Sequence, residues 1–263
     1  MLHVDNIQLS FGGVNALSGV SVHAEAEKIT AVIGPNGAGK TSLFNVISGF
    51  YKPNQGKVVL DGQDISGLKP AARAYCGMSR TFQNIALFHG MSVLDNVKLG
   101  AHTKLKSGVL SAGFRLPMTR REERELGLEI ERDIIGLLEL DHVAHTPVED
   151  LSYGLQKRVE LARALVMKPK ILLLDEPVAG MNREEKREMS RFVLDVRRNW
   201  QTTVLLIEHD MGMVMEISDK VVVLSFGKPI ASGTPDEIRT NPEVINAYLG
   251  VGDEEETSSV AAE

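Results

Sequence analysis

Residues 34–41 read Gly34-Pro35-Asn36-Gly37-Ala38-Gly39-Lys40-Thr41, followed by Ser42, a full match to the spacing G-x-x-x-x-G-K-[ST]. No other stretch restricts the fold as tightly. Several backbone N–H groups must converge on one concavity to hold phosphate oxygens, and glycines let the chain turn that closely. Lys40 adds a positive charge, and the Thr41 hydroxyl is an oxygen suited to Mg2+. The geometry also requires a strand before the loop and a helix after it, whose N-terminus faces the same anion. The flanking text complies: Ile29–Ile33 is a run of apolar residues, and TSLFNVISGF is helix-like until Gly49. The loop therefore predicts a site for a nucleotide's phosphates inside an α/β fold.

The rest of the chain agrees with that class. Short apolar runs alternate with longer amphipathic stretches, the pattern of buried parallel strands under covering helices. Ile171–Leu174, Thr203–Ile207 and Val221–Leu224 read as further core strands. Ile7–Phe11 and Lys57–Leu60 read as half-exposed strands, the second closed by the turn signal Asp61-Gly62. With the first residues, these predict a small antiparallel layer beside a mainly parallel sheet. From about 88 to 165 no strong strand pattern appears, and helices are expected at Ser92–Leu99 and Arg120–Leu140. In the second, Leu126, Ile130, Ile134 and Leu138 recur every four residues on one face. This segment reads as a helical subdomain inserted between core strands. A loop or bent connection is expected at 103–118, where Gly108, Gly113 and Pro117 break the pattern.

Two strand ends carry chemistry. Ile171–Leu174 runs straight into Asp175-Glu176. A buried parallel strand delivers whatever follows it to the carboxyl edge of the sheet, where ligands sit. Asp175 is then placed to hold Mg2+ through water, and Glu176 to polarise the water that attacks a γ-phosphate. Taken alone, a strand followed by a solvated acidic turn explains the pair as well; beside the phosphate loop the catalytic reading prevails. Thr203–Ile207 ends in Glu208-His209-Asp210, which puts the His209 imidazole on the same edge, in reach of a phosphate and its attacking water.

The phosphate loop, Leu151-Ser152-Tyr153-Gly154-Leu155-Gln156, Asp175-Glu176 and His209 stand in an order that resembles the nucleotide-binding subunits of ABC transporters. The resemblance spans residues 2–250. Arg80-Thr81-Phe82-Gln83-Asn84, Leu87-Phe88, LKSGVLSAGF at 105–114, and Asn241-Pro242-Glu243 through Tyr248-Leu249-Gly250 are similar to the ATPase subunits of branched-chain amino acid importers. It implies a P-loop NTPase core in an ABC ATPase domain over 1–250, with ATP and Mg2+ as ligands. By the same resemblance, Gln83 contacts the metal and senses a membrane partner, and Phe11 stacks on adenine. Ser152 and Gly154 would complete the nucleotide site of an opposite subunit, in a homodimer or a homologous heterodimer. Tyr153 and Leu155 stand where the family usually has glycine and glutamine, and Asn182 stands where aspartate is usual. The implied partners are integral membrane permease subunits and, indirectly, an extracytoplasmic solute-binding protein, with the chain on the cytoplasmic face of the inner membrane. An exporter or lipid-extraction ATPase shares every catalytic motif, and a soluble ABC ATPase is the other alternative.

Composition removes other classes. The net charge is −6, but Asp253, Glu254, Glu255, Glu256 and Glu263 hold most of it, so the body is nearly neutral and no basic stripe suggests nucleic acid. Residues 251–263 read as a solvated, disordered tail. Cys76 is the single cysteine, which excludes an internal disulfide and a cysteine metal cluster. No secretory signal opens the sequence, and no apolar run approaches the roughly 18–20 residues that span a bilayer. Met211, Val214, Met215 and Ile217–Ser218 are expected to form a buried helix stripe rather than a methionine-rich partner groove. RREERELGLEIERD is expected to be a solvated helix face. Between Gln83 and about Asn96, Leu87, Phe88 and Met91 are candidate contacts for a short helix of the membrane partner.

Overall fold

Strands with every residue buried need cover on both faces, and the chain supplies it. The computed structural model describes residues 1–101, 125 and 127–248. Strands β3 (Ile29–Ile33), β7 (Ile171–Asp175) and β8 (Thr203–Ile207) are buried throughout. They run parallel in a sheet of order β10-β9-β3-β8-β7-β6, with β6 (Met78–Arg80) and β9 (Lys220–Ser225) also parallel and β10 (Lys228–Gly233) antiparallel on one edge. Alternate residues point to opposite faces. Leu172, Leu174, Val204 and Leu206 therefore join one apolar cluster, and Ile171, Leu173, Leu205 and Ile207 the other. Each such side chain contributes about 1.5–3 kcal/mol by leaving water, so this double cover is the main source of order around the site.

The second cluster lies between this sheet and a four-stranded antiparallel one, β2-β1-β4-β5, built from β1 (Leu2–Phe11), β2 (Val14–Ala24), β4 (Gln55–Leu60) and β5 (Gln63–Asp64). Helix α1 (Lys40–Ile47) contributes Leu43, Phe44, Val46 and Ile47 to this cluster. The antiparallel layer was expected, but β1 is longer than its readable half. Asn6 has φ of 48°, and the pairing with β2 shifts register between Val4 and Ile7, so the in–out alternation breaks there. Strands β2, β5, β6 and β10 were not expected. β6 is only three residues, Met78-Ser79-Arg80, and exists because the edge of β7 offers it a parallel partner.

Between β6 and β7 the described residues are mostly helical. Helix α2 (Pro70–Tyr75) precedes β6, and helix α3 (Val93–Leu99) starts where expected, with the Ser92 hydroxyl accepting from the Asp95 amide. Of the helix expected at Arg120–Leu140, residues 120–124 and Leu126 lie outside the described residues. Ile130, Ile134 and Leu138 are buried together, but Glu131–Ile135 forms a wider i→i+5 turn that the sequence did not signal. The connection at 103–118 and the tail at 251–263 also lie outside the described residues. Helix α4 (Tyr153–Leu165) closes the segment.

After β7 come α5 (Arg183–Trp200), α6 (Met211–Ile217) and α7 (Pro235–Arg239). The methionine stripe needs one correction. Met213, not Met211, is fully buried beside Val214 and Ile217, because the Asp210 cap starts the helix at Met211 and sets that face inward. Met211 and Met215 flank it, partly buried. No described helix is long and apolar enough to cross a membrane.

Candidate functional site

The parallel arrangement brings the ends of β3, β6, β7 and β8 to one edge of the sheet, and the chemistry-bearing residues follow those ends. Leaving β3, Gly34 has φ of 150°, and a Cβ there would lie 2.1 Å from the Leu224 carbonyl oxygen. Gly39, at φ 98°, would bring a Cβ within 2.7 Å of the Ala16 carbonyl. Only glycine fits either place. The loop closes over its own lysine: Lys40 Nζ donates to the carbonyls of Gly34 (2.6 Å) and Pro35 (2.9 Å). Burial pushes the ammonium below the ordinary lysine value, and Glu176 and Asp175 oppose that shift. A polar cavity of about 530 Å3 opens here, lined by Asn36 through Ser42 with Val14, Asn15, Ala16, Gln83, Glu176, Phe226 and Gly227. Its size suits a small-molecule ligand.

At the end of β7, Asp175 is buried against Arg80, whose Nη2 donates to Oδ2 at 2.8 Å. Burial raises the Asp175 carboxyl and the guanidinium holds it down. Glu176 adopts φ of 48°, a backbone conformation that side-chain-bearing residues rarely take, while its amide donates to the Ile207 carbonyl at 2.9 Å. Strain of this kind turns the carboxylate out of the strand toward the cavity. Gln83 Nε2 donates to Glu176 Oε2 at 2.9 Å, and His209 Nδ1 lies 3.9 Å from Oε1. Residues 93 positions apart thus meet at one carboxylate.

Of the residues the sequence put forward, the phosphate loop, Gln83, Glu176 and His209 come together here, and Thr41 lines the same cavity. Phe11 does not line it; the ring is half exposed and stands edge-on to Tyr51 with centroids 5.2 Å apart. Ser152 and Gly154 are also outside that lining. Ser152 caps α4 by accepting from the Leu155 amide, and a Cβ on Gly154 would meet Glu185 Oε1 at 2.4 Å. Asn182 caps α5 through a reciprocal pair with Glu185, a task that aspartate would perform as well, so the cap does not explain the departure from aspartate.

Several supporting residues escaped the sequence reading. Buried Glu208 accepts from the amides of Val178, His209 and Asp210, tying the histidine turn to the segment after Glu176. Buried Lys157 donates to the Gln83 carbonyl at 2.8 Å, and its neighbour Glu160 accepts from the Phe82 amide. Together they fix the backbone that carries Gln83. Only their burial marks them, because charged residues on a helix normally read as a solvated face. Phe226, 80% exposed, lines the cavity from the turn between β9 and β10.

A second cavity of about 560 Å3 lies beside Arg80, with mainly apolar walls that include Phe50, Met78, Phe82, Phe88, Leu99 and Met167. Of the expected partner contacts, Phe88 lines it. Leu87 packs into the core instead, and Met91 is not part of the lining.

The residues at the polar cavity fit a nucleotide and a hard divalent cation. At Gly34 and Gly39 the loop leaves no room for a side chain, Lys40 Nζ donates to carbonyl oxygens, and the nearby hydroxyl, carboxylate and amide oxygens are the donors Mg2+ takes.

Comparisons with known proteins agree. A family profile described as "ABC transporter" matches residues 17–179, and one described as "Branched-chain amino acid ATP-binding cassette transporter" matches 228–254. The chain is 44% identical over 254 residues to the high-affinity branched-chain amino acid transport ATP-binding protein LivG of Escherichia coli, covering 95% of this chain and 98% of that one. It is 43% identical over 250 residues to BraF of Pseudomonas aeruginosa, a protein of the same description, with the same coverage. Among solved structures, it resembles an ATP-binding cassette of an ABC transporter in its ADP conformation, with a TM-score of 0.83, 33% identity, and 95% and 98% of the two chains covered. A nucleotide-free cassette gives a TM-score of 0.82 at 32% identity, covering 94% and 98%.

Proposed function

The chain belongs to the ABC transporter family as an ATP-binding subunit, and on that premise we propose that it hydrolyses ATP to drive import of branched-chain amino acids through membrane-spanning partner subunits. The observation that carries the hydrolytic part is the meeting of Gln83, Glu176 and His209 beside the phosphate loop. The solute class is supported by the match over residues 228–254 and by the near full-length likeness to LivG and BraF.

Each group has a stated task. Loop amides and Lys40 hold the phosphates, with the ammonium exchanging its two carbonyl partners for phosphate oxygens. Thr41, Gln83 and Asp175 would hold Mg2+, which would supply positive charge beside the terminal phosphates. Glu176 accepts the proton of the attacking water, and Gln83 and His209 orient that carboxylate and the water. Phe11 contributes a face for the adenine ring. Ser152 and Gly154, which do not line this cavity, serve the nucleotide of a second ATPase subunit through the N-terminus of α4. The helical segment at about 88–165 forms a subdomain of the ATPase domain at 1–250. The apolar cavity beside Phe88 receives a short helix of the permease, which places the chain on the cytoplasmic face of the inner membrane, with a solute-binding protein across it.

The test is co-purification. Tagged Glu176→Gln protein, drawn in Mg-ATP from detergent-solubilised membranes of its native cell, is expected to bring two polytopic membrane proteins identifiable by mass spectrometry. Ribosomal or DNA-repair proteins in their place would overturn the transport reading.

A further inference from the structure

Arg80 sits where three elements meet, and its contacts are unusual for a residue in a short edge strand. Its side chain is 8% exposed and that of Asp175 is 4% exposed. Nη2 donates to Asp175 Oδ2 at 2.8 Å, while Nη1 donates to Asn45 Oδ1 (2.8 Å) and Ser48 Oγ (2.7 Å), both at the C-terminal end of the α1 segment. The guanidinium lies 5.2 Å from the Phe82 ring centroid and 5.6 and 5.8 Å from those of Phe44 and Phe50. Nε is buried and has no hydrogen-bond partner.

The stability such a pair adds is small, because removing two charges from water offsets most of their attraction. An orphaned Nε makes the arrangement costlier still. What the fork does supply is geometry. A guanidinium is planar and rigid, so acceptors on α1 fix the direction in which Nη2 points. It bridges the helix that begins at Lys40-Thr41 and the strand that ends at Asp175, and it lies against Phe82, next to Gln83. All three residues proposed to hold Mg2+ thus hang on elements that this one side chain touches.

We propose that Arg80 is a positioning residue for the metal site: it holds one oxygen of Asp175 so that the other is presented to the metal. This rests on the Mg-nucleotide reading above. Removing such an outer partner typically lowers metal affinity by about 10–100-fold. Phe50 and Phe82, which line the apolar cavity, hold the fork from the other side.

The experiment measures Mn2+ binding to the full chain loaded with ADP, by electron paramagnetic resonance, alongside ADP affinity in excess EDTA. Arg80→Met is expected to weaken Mn2+ binding about tenfold and leave ADP affinity in EDTA unchanged. Arg80→Lys, which keeps a charge near Asp175 but not the fork, is expected to recover part of the loss. Unchanged Mn2+ affinity in Arg80→Met would overturn the proposal. So would an equal loss with and without metal, which would make Arg80 a clamp of the fold alone. If the wild-type chain with ADP held no more Mn2+ than free ADP does, the Mg-nucleotide reading would fall and this proposal with it.

Discussion

The hydrolytic chemistry proposed here turns on a single carboxylate. Glu176 is placed by backbone strain at φ 48°, by the hydrogen bond its amide donates to the Ile207 carbonyl, and by the hydrogen bond donated from Gln83. Replacing it with glutamine keeps the shape and a hydrogen-bond acceptor but removes the base. Glu176→Gln is therefore expected to bind ATP with wild-type affinity and to hydrolyse it about 100–10,000-fold more slowly. Steady-state phosphate release and equilibrium nucleotide binding check the two halves of that statement. Hydrolysis at the wild-type rate would move the base elsewhere, and His209, 3.9 Å away, is the group to examine next.

At the scale of elements, buried charge does much of the positioning. The Arg73 guanidinium, 1% exposed, donates to the carbonyls of Val46 and Ile47 at the end of α1 and to those of Ser66 and Leu68. It caps the phosphate-loop helix from below, and Gly49 is a glycine partly because a Cβ there would lie 2.8 Å from Arg73 Nε. Arg73→Met leaves those carbonyls without donors and is expected to destabilise the chain by about 2–4 kcal/mol in urea unfolding. Helix α6 depends on pH in a different way. Asp210 accepts from Lys186 Nζ and from the Met213 amide, and these hold its carboxyl below the ordinary aspartate range. Its contribution is present above the unfolded aspartate value, near 3.9, and is lost as pH falls through the lower folded one. Asp210→Asn retains the cap and loses the ion pair. It should be about 0.5–1 kcal/mol less stable than wild type at pH 7, a gap that closes at acid pH. What could be read in advance divides along the same line. The phosphate loop, the acidic strand end and His209 were legible because motif spacing and apolar runs fix them. Arg73, Arg80, Lys157, Glu160 and Glu208 were not, because a charged residue in sequence reads as surface until the fold buries it.

For the whole molecule, legibility followed burial symmetry. β3, β7, β8 and β9 are covered on both faces and show as unbroken apolar runs. β6 has three residues and β1 carries a register shift, so neither shows a clean period. The parallel order is what gathers four strand ends at one edge, where the polar cavity opens, with the apolar cavity beside Arg80. Hydrolysis at this edge is proposed to power uptake of branched-chain amino acids. The most direct measurement is uptake of radiolabelled leucine by native cells lacking this chain and complemented with wild type or Glu176→Gln at equal abundance. Wild type is expected to restore uptake and the variant is not; equal uptake with the variant, or none with wild type, would overturn the proposed function.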